Sequence, residues 1–173
     1  MYQGFNKTAL SSQQSIAKSF IILLKEKEYS KISISEICSR ASVSRQTFYS
    51  LFESKENIIA FELKKKYSFD PASECKCCGV PTLEQLSEGY AEYIIEKGDF
   101  IKLLVDNRIT YLMHESLYEC LAESAFTDSP VTADFIAGGL TTIAKHFCTD
   151  YCGIDRSHLK GIIYRLFSGA YFQ

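Results

Sequence analysis

Hydrophobic and polar positions recur with helical periodicity along most of the chain, and no stretch shows a convincing strand alternation. The clearest apolar stripe falls at positions i, i+4, i+7 and i+8: Ile16, Phe20, Leu23 and Leu24. Such a stripe is the buried side of an amphipathic helix. Ser11 or Ser12 can cap this first helix, which we expect to end at about Lys27.

Three serines that can each begin a short helix lie close together: Ser33, Ser44 and Ser54. Glu36 follows Ser33 by three positions, which is the capping-box pattern. Phe48 and Phe52, one helical turn apart, can face a common core. Short helices joined at sharp angles are typical of a helix-turn-helix unit.

The second part of the chain also predicts helices. Thr82 and Gln85 form another capping box, and Gly98 is a plausible end for the helix that follows. Further helices are expected at 99–107, about 110–125, 130–151 and 155–172. The fold class is therefore all-α, and the change of pattern at 68–81 predicts two domains, 1–67 and 68–173.

Charge divides the chain in the same way. Residues 1–67 carry 11 Lys and Arg against 6 Asp and Glu, a net of +5, whereas 68–173 carry 8 against 15, a net of −7. A basic first part can attract a polyanion that the acidic second part would repel.

Composition and motifs exclude several function classes. The apolar runs are far shorter than the roughly 20 residues that a membrane helix needs, and the N-terminus lacks a secretory pattern, so we expect a soluble cytoplasmic protein. No motif of a catalytic class is present, so we predict no enzyme and no cofactor.

The seven cysteines leave two interpretations open. Cys75, Cys77 and Cys78, completed by His146, Cys148 or Cys152, could form a thiol sensor or half of a metal site. No second pair has the usual zinc spacing, however, so ordinary free thiols are favoured and no metal is predicted.

The segment 44–55 carries the side chains that suit DNA. An arginine such as Arg45 matches guanine edges, a glutamine such as Gln46 matches adenine edges, and hydroxyl groups bind phosphates. Lys55 begins a helix, where its ammonium could hold a phosphate. No acidic residue lies between Ala41 and Phe52.

The pattern Val43-Ser44-Arg45-x-Thr47-Phe48-Tyr49-x-x-Phe52-x-x-Lys55-Glu56, within residues 8–63, resembles the DNA-binding domain of TetR-family bacterial transcription regulators. The resemblance implies binding to double-stranded DNA. The implied phosphate contacts are Ser33, Ser44, Thr47, Tyr49 and Lys55, and the implied base contacts are Arg45, Gln46 and Ser50. The chain departs from the family at Ser42, where glycine is usual in the turn, and at Leu51, where His or Tyr is usual.

The resemblance also implies a C-terminal domain that dimerises and binds a small-molecule effector. The expected pocket residues are Tyr90, Tyr93, Phe100, Tyr111, His114 and Tyr118, although ordinary core aromatics are the simpler interpretation. The expected homodimer residues are Phe135, Leu140, Ile143, Ile163, Leu166 and Phe167. The predicted function is a ligand-responsive repressor on a near-palindromic operator, and the alternative is a TetR-like adaptor or co-activator that needs a protein partner.

Overall fold

The computed structural model describes residues 6–64, 82–122, 129–150 and 155–169, and the chain divides into an N-terminal unit (Met1–Lys65) and a C-terminal unit (Lys66–Gln173). The regular structure of the described residues is helical. The N-terminal unit contains α1 (Lys7–Glu26), a 3-10 turn (Tyr29–Lys31), α2 (Ile34–Ala41), α3 (Arg45–Leu51) and α4 (Lys55–Lys64). The C-terminal unit contains α5 (Leu83–Asp106), α6 (Tyr111–Ala122), α7 (Pro130–Asp150) and α8 (Arg156–Phe167). The predicted all-α class is confirmed.

Side-chain caps explain where several helices begin. Ser33 and Glu36 form the expected capping box, and Thr82 and Gln85 form the second one. Each box satisfies backbone N–H groups that a helix start would leave without partners. The expected cap of α1 at Ser11 or Ser12 is wrong, because Asn6 accepts a hydrogen bond from the Thr8 amide at 2.9 Å and begins the helix earlier.

The core of the N-terminal unit consists of apolar side chains that α1 to α4 turn toward one another. The largest fully buried ones include Ile16, Phe20, Ile37, Phe48, Phe52 and Ile58. The expected inward orientation of Phe48 and Phe52 is therefore confirmed. Because both rings are buried, the opposite side of α3 is fixed toward solvent.

The turn between α2 and α3 requires a left-handed residue at Ser42, which has φ 54° and ψ 42°. The Val43 amide then donates to the Cys38 carbonyl at 3.0 Å, which closes the end of α2. A side chain in this conformation costs about 1–2 kcal/mol relative to glycine. The turn thus holds α3 at its angle against a local strain.

We expect Ser42→Gly to raise the free energy of unfolding by about 0.5–1 kcal/mol, because the relief of strain exceeds the added flexibility of the unfolded chain. Urea unfolding followed by circular dichroism measures this change. Ser39→Gly, in the interior of α2, is the control and should lower the free energy by about 0.5 kcal/mol. A loss in both variants would contradict the strain argument.

In the C-terminal unit, α5 packs against α7 and α8, and α6 packs against α7. The predicted helix end near Gly98 is wrong, because α5 continues to Asp106. Ile94 and Ile101, on either side of Gly98, are fully buried, and their burial offsets the roughly 1 kcal/mol that a helical glycine costs. Among the described residues, none of the helices combines the length and the apolar character that crossing a membrane requires.

The segment 68–81, where the sequence pattern changes, lies outside the described residues together with its cysteines Cys75, Cys77 and Cys78, as does Cys152. Gly139 lies where α7 comes close to α8. A Cβ atom there would lie 3.3 Å from the Cζ atom of Phe167, so α7 meets this side chain of α8.

Candidate functional site

One side of α3 forms a polar surface that we call the α3 face, defined by Arg45, Gln46, Tyr49 and Ser50. All four residues are exposed, whereas Phe48 and Leu51 on the other side are buried. Residues four apart on a helix are neighbours, so the four side chains form two adjacent rows. This short exposed helix has the size and the polar chemistry that fit a major groove.

Arg45 and Gln46, two of the three base-contact candidates, have side chains without a polar partner among the described residues. The side chains of Arg45 and Gln46 form no hydrogen bond or ion pair with the described residues. No carboxylate lies between Ala41 and Phe52 in the sequence. The guanidinium of Arg45 can therefore reach an acceptor outside the molecule without first breaking an internal contact.

Ser44 and Thr47 form a hydroxyl pair beside the α3 face. The Ser44 Oγ accepts a hydrogen bond from the Thr47 amide at 3.0 Å and lies 2.8 Å from the Thr47 Oγ1. Two hydroxyls need only one hydrogen for the bond between them. The second hydroxyl hydrogen is available to a phosphate oxygen.

Ser33 is less available than the sequence suggested. Its amide and its hydroxyl both donate to the Glu36 Oε2, at 3.0 Å and 2.9 Å, and Glu36 also forms an ion pair with Lys27. The hydrogen bond from Lys27, followed by those from Ser33, lowers the pKa of Glu36 from 4.5 to about 2. A phosphate contact through either donor of Ser33 would have to displace this carboxylate.

The capping box should make the N-terminal unit sensitive to acid. Because the folded-state pKa of Glu36 lies below its unfolded value, its contribution to stability is present above pH 4.5 and is lost as the pH falls toward about 2. Glu36→Gln keeps a hydrogen-bonding side chain without the charge, so we expect a weaker dependence of the urea midpoint on pH in that window. Glu28→Gln, which removes an exposed carboxylate of the same unit, is the control, and an equal effect of both substitutions would contradict the prediction.

Lys55 is directed into the N-terminal unit. Its Nζ donates to the carbonyl oxygens of Tyr29 at 3.2 Å and Ile32 at 2.9 Å, and it lies 4.3 Å from the centroid of the Tyr29 ring. The Tyr29 hydroxyl in turn bonds to Glu56. Two of the three ammonium hydrogens are thereby used to fasten the 3-10 turn to the start of α4.

A second candidate site lies in the C-terminal unit, where α5 to α8 border a cavity of about 360 Å³. This volume is within the range of small-molecule sites. Its lining consists of Leu83, Leu86, Ser87, Tyr90, Leu117, Cys120, Leu121, Ile136, Leu140, Ile163 and Phe167. We call it the C-terminal cavity.

Of the six residues expected in an effector pocket, Tyr90 alone lines the C-terminal cavity. Tyr93 is buried and stacks on Tyr90 with ring centroids 5.8 Å apart. Phe100 is buried ten positions after Tyr90 on α5, and Tyr111 is exposed. His114 lies 3.2 Å from Asp134 and is two-thirds buried, and Tyr118 is half-buried.

The residues expected at a dimer interface fall into two groups. Leu140, Ile163 and Phe167 line the C-terminal cavity. Phe135 and Leu166 are exposed, and Ile143 is half-buried. Val131, which the sequence analysis did not select, is 80% exposed one turn before Phe135.

Residues 21–60 match the model of the bacterial regulatory proteins of the tetR family. The DhaS activator of the dhaKLM operon from Lactococcus lactis is 32% identical over 62 residues, which cover 36% of this chain. The match spans only 33% of that relative's length.

Solved structures share the fold over nearly the whole chain. Lin0861 from Listeria innocua matches 100% of this chain and 97% of its own, with a TM-score of 0.77 and 15% identity. A TetR transcriptional regulator from Streptococcus agalactiae matches 93% of this chain and 96% of its own, with a TM-score of 0.59 and 19% identity. These likenesses concern the fold of the chain.

Proposed function

We propose that this chain, which belongs to the TetR family of bacterial regulatory proteins through its N-terminal unit, is a DNA-binding transcriptional regulator. It acts as a homodimer on a near-palindromic operator and responds to a small molecule held in the C-terminal unit. The observation that carries the proposal is the α3 face, where Arg45 and Gln46 are exposed and form no hydrogen bond or ion pair within the part of the chain that the structure describes.

The charge of the chain supports binding to DNA. The N-terminal 67 residues have a net charge of +5, and a homodimer would bring two such regions to one duplex. Contacts to phosphates release counterions, so affinity should fall steeply with salt. The exposed Arg45 and Gln46 would add sequence preference at base edges.

The exposed apolar residues of the last two helices support a dimer. Four large apolar side chains of α7 and α8 are exposed to solvent, and a second copy of the chain could cover them: Val131, Phe135, Tyr164 and Leu166. A two-fold arrangement would place two α3 helices about 34–36 Å apart on one side of the DNA. That spacing is the reason for a near-palindromic operator.

The proposed mode is repression, in which a small molecule shifts the dimer to a state whose α3 spacing no longer fits the operator. Activation is the alternative mode, because the relative at 32% identity is named a transcriptional activator. An adaptor that depends on a protein partner is a second candidate. The inward direction of Lys55 favours it, because it removes an expected phosphate contact. Leu51 is buried where the family usually has His or Tyr, and its side chain has no polar group to offer DNA.

Selection from a random DNA pool, followed by fluorescence anisotropy across a salt series, tests the proposal. The expected result is one near-palindromic sequence with a steep salt dependence, bound by a dimer in sedimentation equilibrium. A folded dimer that enriches no sequence would overturn autonomous DNA binding and favour the adaptor. A promoter-reporter assay with the selected operator then separates repression from activation.

A further inference from the structure

The wall of the C-terminal cavity is almost entirely hydrocarbon. Leucine and isoleucine side chains from all four helices supply most of it, and none of the described residues that line it is charged. Its hydroxyl-bearing residues are Ser87 and Tyr90, and Cys120 contributes a thiol. The chemistry of this wall therefore depends on whether those polar groups are available.

Both hydroxyl groups are already engaged within the protein. The Ser87 Oγ donates to the Leu83 carbonyl at 2.7 Å, and the Tyr90 hydroxyl donates to the Leu140 carbonyl at 3.1 Å. Burial raises the pKa of Tyr90, so the phenol stays neutral and keeps its donor in that bond. A ligand thus finds no free hydroxyl donor on the part of the wall formed by the described residues.

Five charged side chains of α5 and α8 pair with one another, and none of them is among the residues that line the cavity. Lys160 of α8 bonds to Glu84 at 3.2 Å and to Glu88 at 2.8 Å, and Arg156 pairs with Glu88 and Glu92. A charged ligand in the cavity would lose its hydration without gaining a partner. An apolar ligand has no charged group to desolvate, and its binding removes apolar surface from water.

We propose that the C-terminal cavity binds an uncharged, predominantly hydrocarbon small molecule, and that this chemical class is the effector of the regulator. The second part rests on the function proposed above, whereas binding itself does not. The ligand contacts α5, α6, α7 and α8 at once, because each of these helices contributes side chains to the wall. Its occupancy therefore stabilises one packing of the four helices.

A series of primary alkanols tests the chemical class by isothermal titration calorimetry on the full chain without DNA. From 1-hexanol to 1-decanol, affinity should rise about fourfold per added CH₂ until the cavity is full. Decanoate at neutral pH should bind at least about tenfold more weakly than 1-decanol, because its carboxylate must be desolvated. Equal binding of the alcohol and the carboxylate, or no binding of any alkanol, would overturn the proposal.

Substitutions with matched controls place the binding in the cavity. Leu140→Trp fills the space and should abolish 1-decanol binding, while Ile95→Trp, on the exposed side of α5, should leave it unchanged. Leu86→Phe, a smaller change at a half-buried wall position, should weaken binding if Leu140→Trp does not fold. Unchanged binding in a folded cavity variant would overturn the assignment of the site.

The regulatory part is tested on the selected operator. 1-Decanol should change the affinity of the native chain for that operator and leave that of Leu140→Trp unaltered. Binding of 1-decanol with no effect on the operator complex would overturn its role as an effector class. Failure of the chain to select any operator would instead overturn the proposed function, while the calorimetric result would still decide the ligand class.

Discussion

Arg45→Ala is expected to lower the affinity for the selected operator by about 2–6 kcal/mol, because each of two half-sites loses a base contact worth about 1–3 kcal/mol. Affinity for random DNA should fall much less, since only one charge per protomer is removed. Arg45 is the strongest candidate for this role because it is exposed and bonds to none of the residues that the structure describes. Fluorescence anisotropy on the selected and a scrambled duplex at one salt concentration gives both numbers.

Arg40→Ala is the matched control for Arg45→Ala. It removes the same charge from the N-terminal unit, but the guanidinium of Arg40 is held by Glu26 in two hydrogen bonds of 2.7 Å and 2.8 Å. We therefore expect it to change the ratio of selected to scrambled affinity little. An equal fall on both duplexes in Arg45→Ala would show that Arg45 contacts phosphates rather than bases.

Helix starts could be predicted from the sequence where a local signal decides them. The boxes at Ser33 and Thr82 and the cap at Ser44 connect residues only three positions apart, and all three are present. The predicted helix end at Gly98 was wrong because the local tendency of glycine to end a helix is outweighed by the burial of Ile94 and Ile101. Their helix, α5, packs against α7 and α8, which lie far along the chain.

The exposed α3 face also followed from local spacing, since Phe48 and Phe52 fix which side of α3 points inward. The C-terminal cavity could not be predicted from local spacing. The residues expected in the effector pocket were aromatic and polar, whereas the cavity is a space that the surrounding aliphatic side chains leave unfilled. Leu83, Leu86 and Tyr90 do share one helical face, which was the available signal, but a face alone does not distinguish a packed core from a cavity.

Lys55 shows a further limit of the sequence. Its position at the start of α4 was visible, and a phosphate contact was the expected role. The direction of its side chain depends on two carbonyl oxygens, those of Tyr29 and Ile32, that lie 26 and 23 positions earlier. No local pattern records such partners, so the structural role of the ammonium was not predictable.

Lys55→Met should lower the free energy of unfolding of the N-terminal unit by about 2 kcal/mol, because two carbonyl groups lose a charged donor while the aliphatic volume is kept. The salt dependence of DNA binding should stay nearly the same, since the ammonium bonds to the protein itself. A phosphate contact at this position would instead reduce the salt slope by about one per protomer. Urea unfolding and an anisotropy salt series on the same variant measure the two effects.

Lys25→Met, at an exposed lysine of α1, is the matched control because it removes the same charge without breaking a hydrogen bond with the described residues. It should leave the unfolding free energy within about 0.5 kcal/mol of the native value. If Lys55→Met flattens the salt slope and unfolds like the control, Lys55 turns outward to DNA. If it destabilises the unit with an unchanged slope, Lys55 acts by holding the 3-10 turn, and with it the start of α2, against α4.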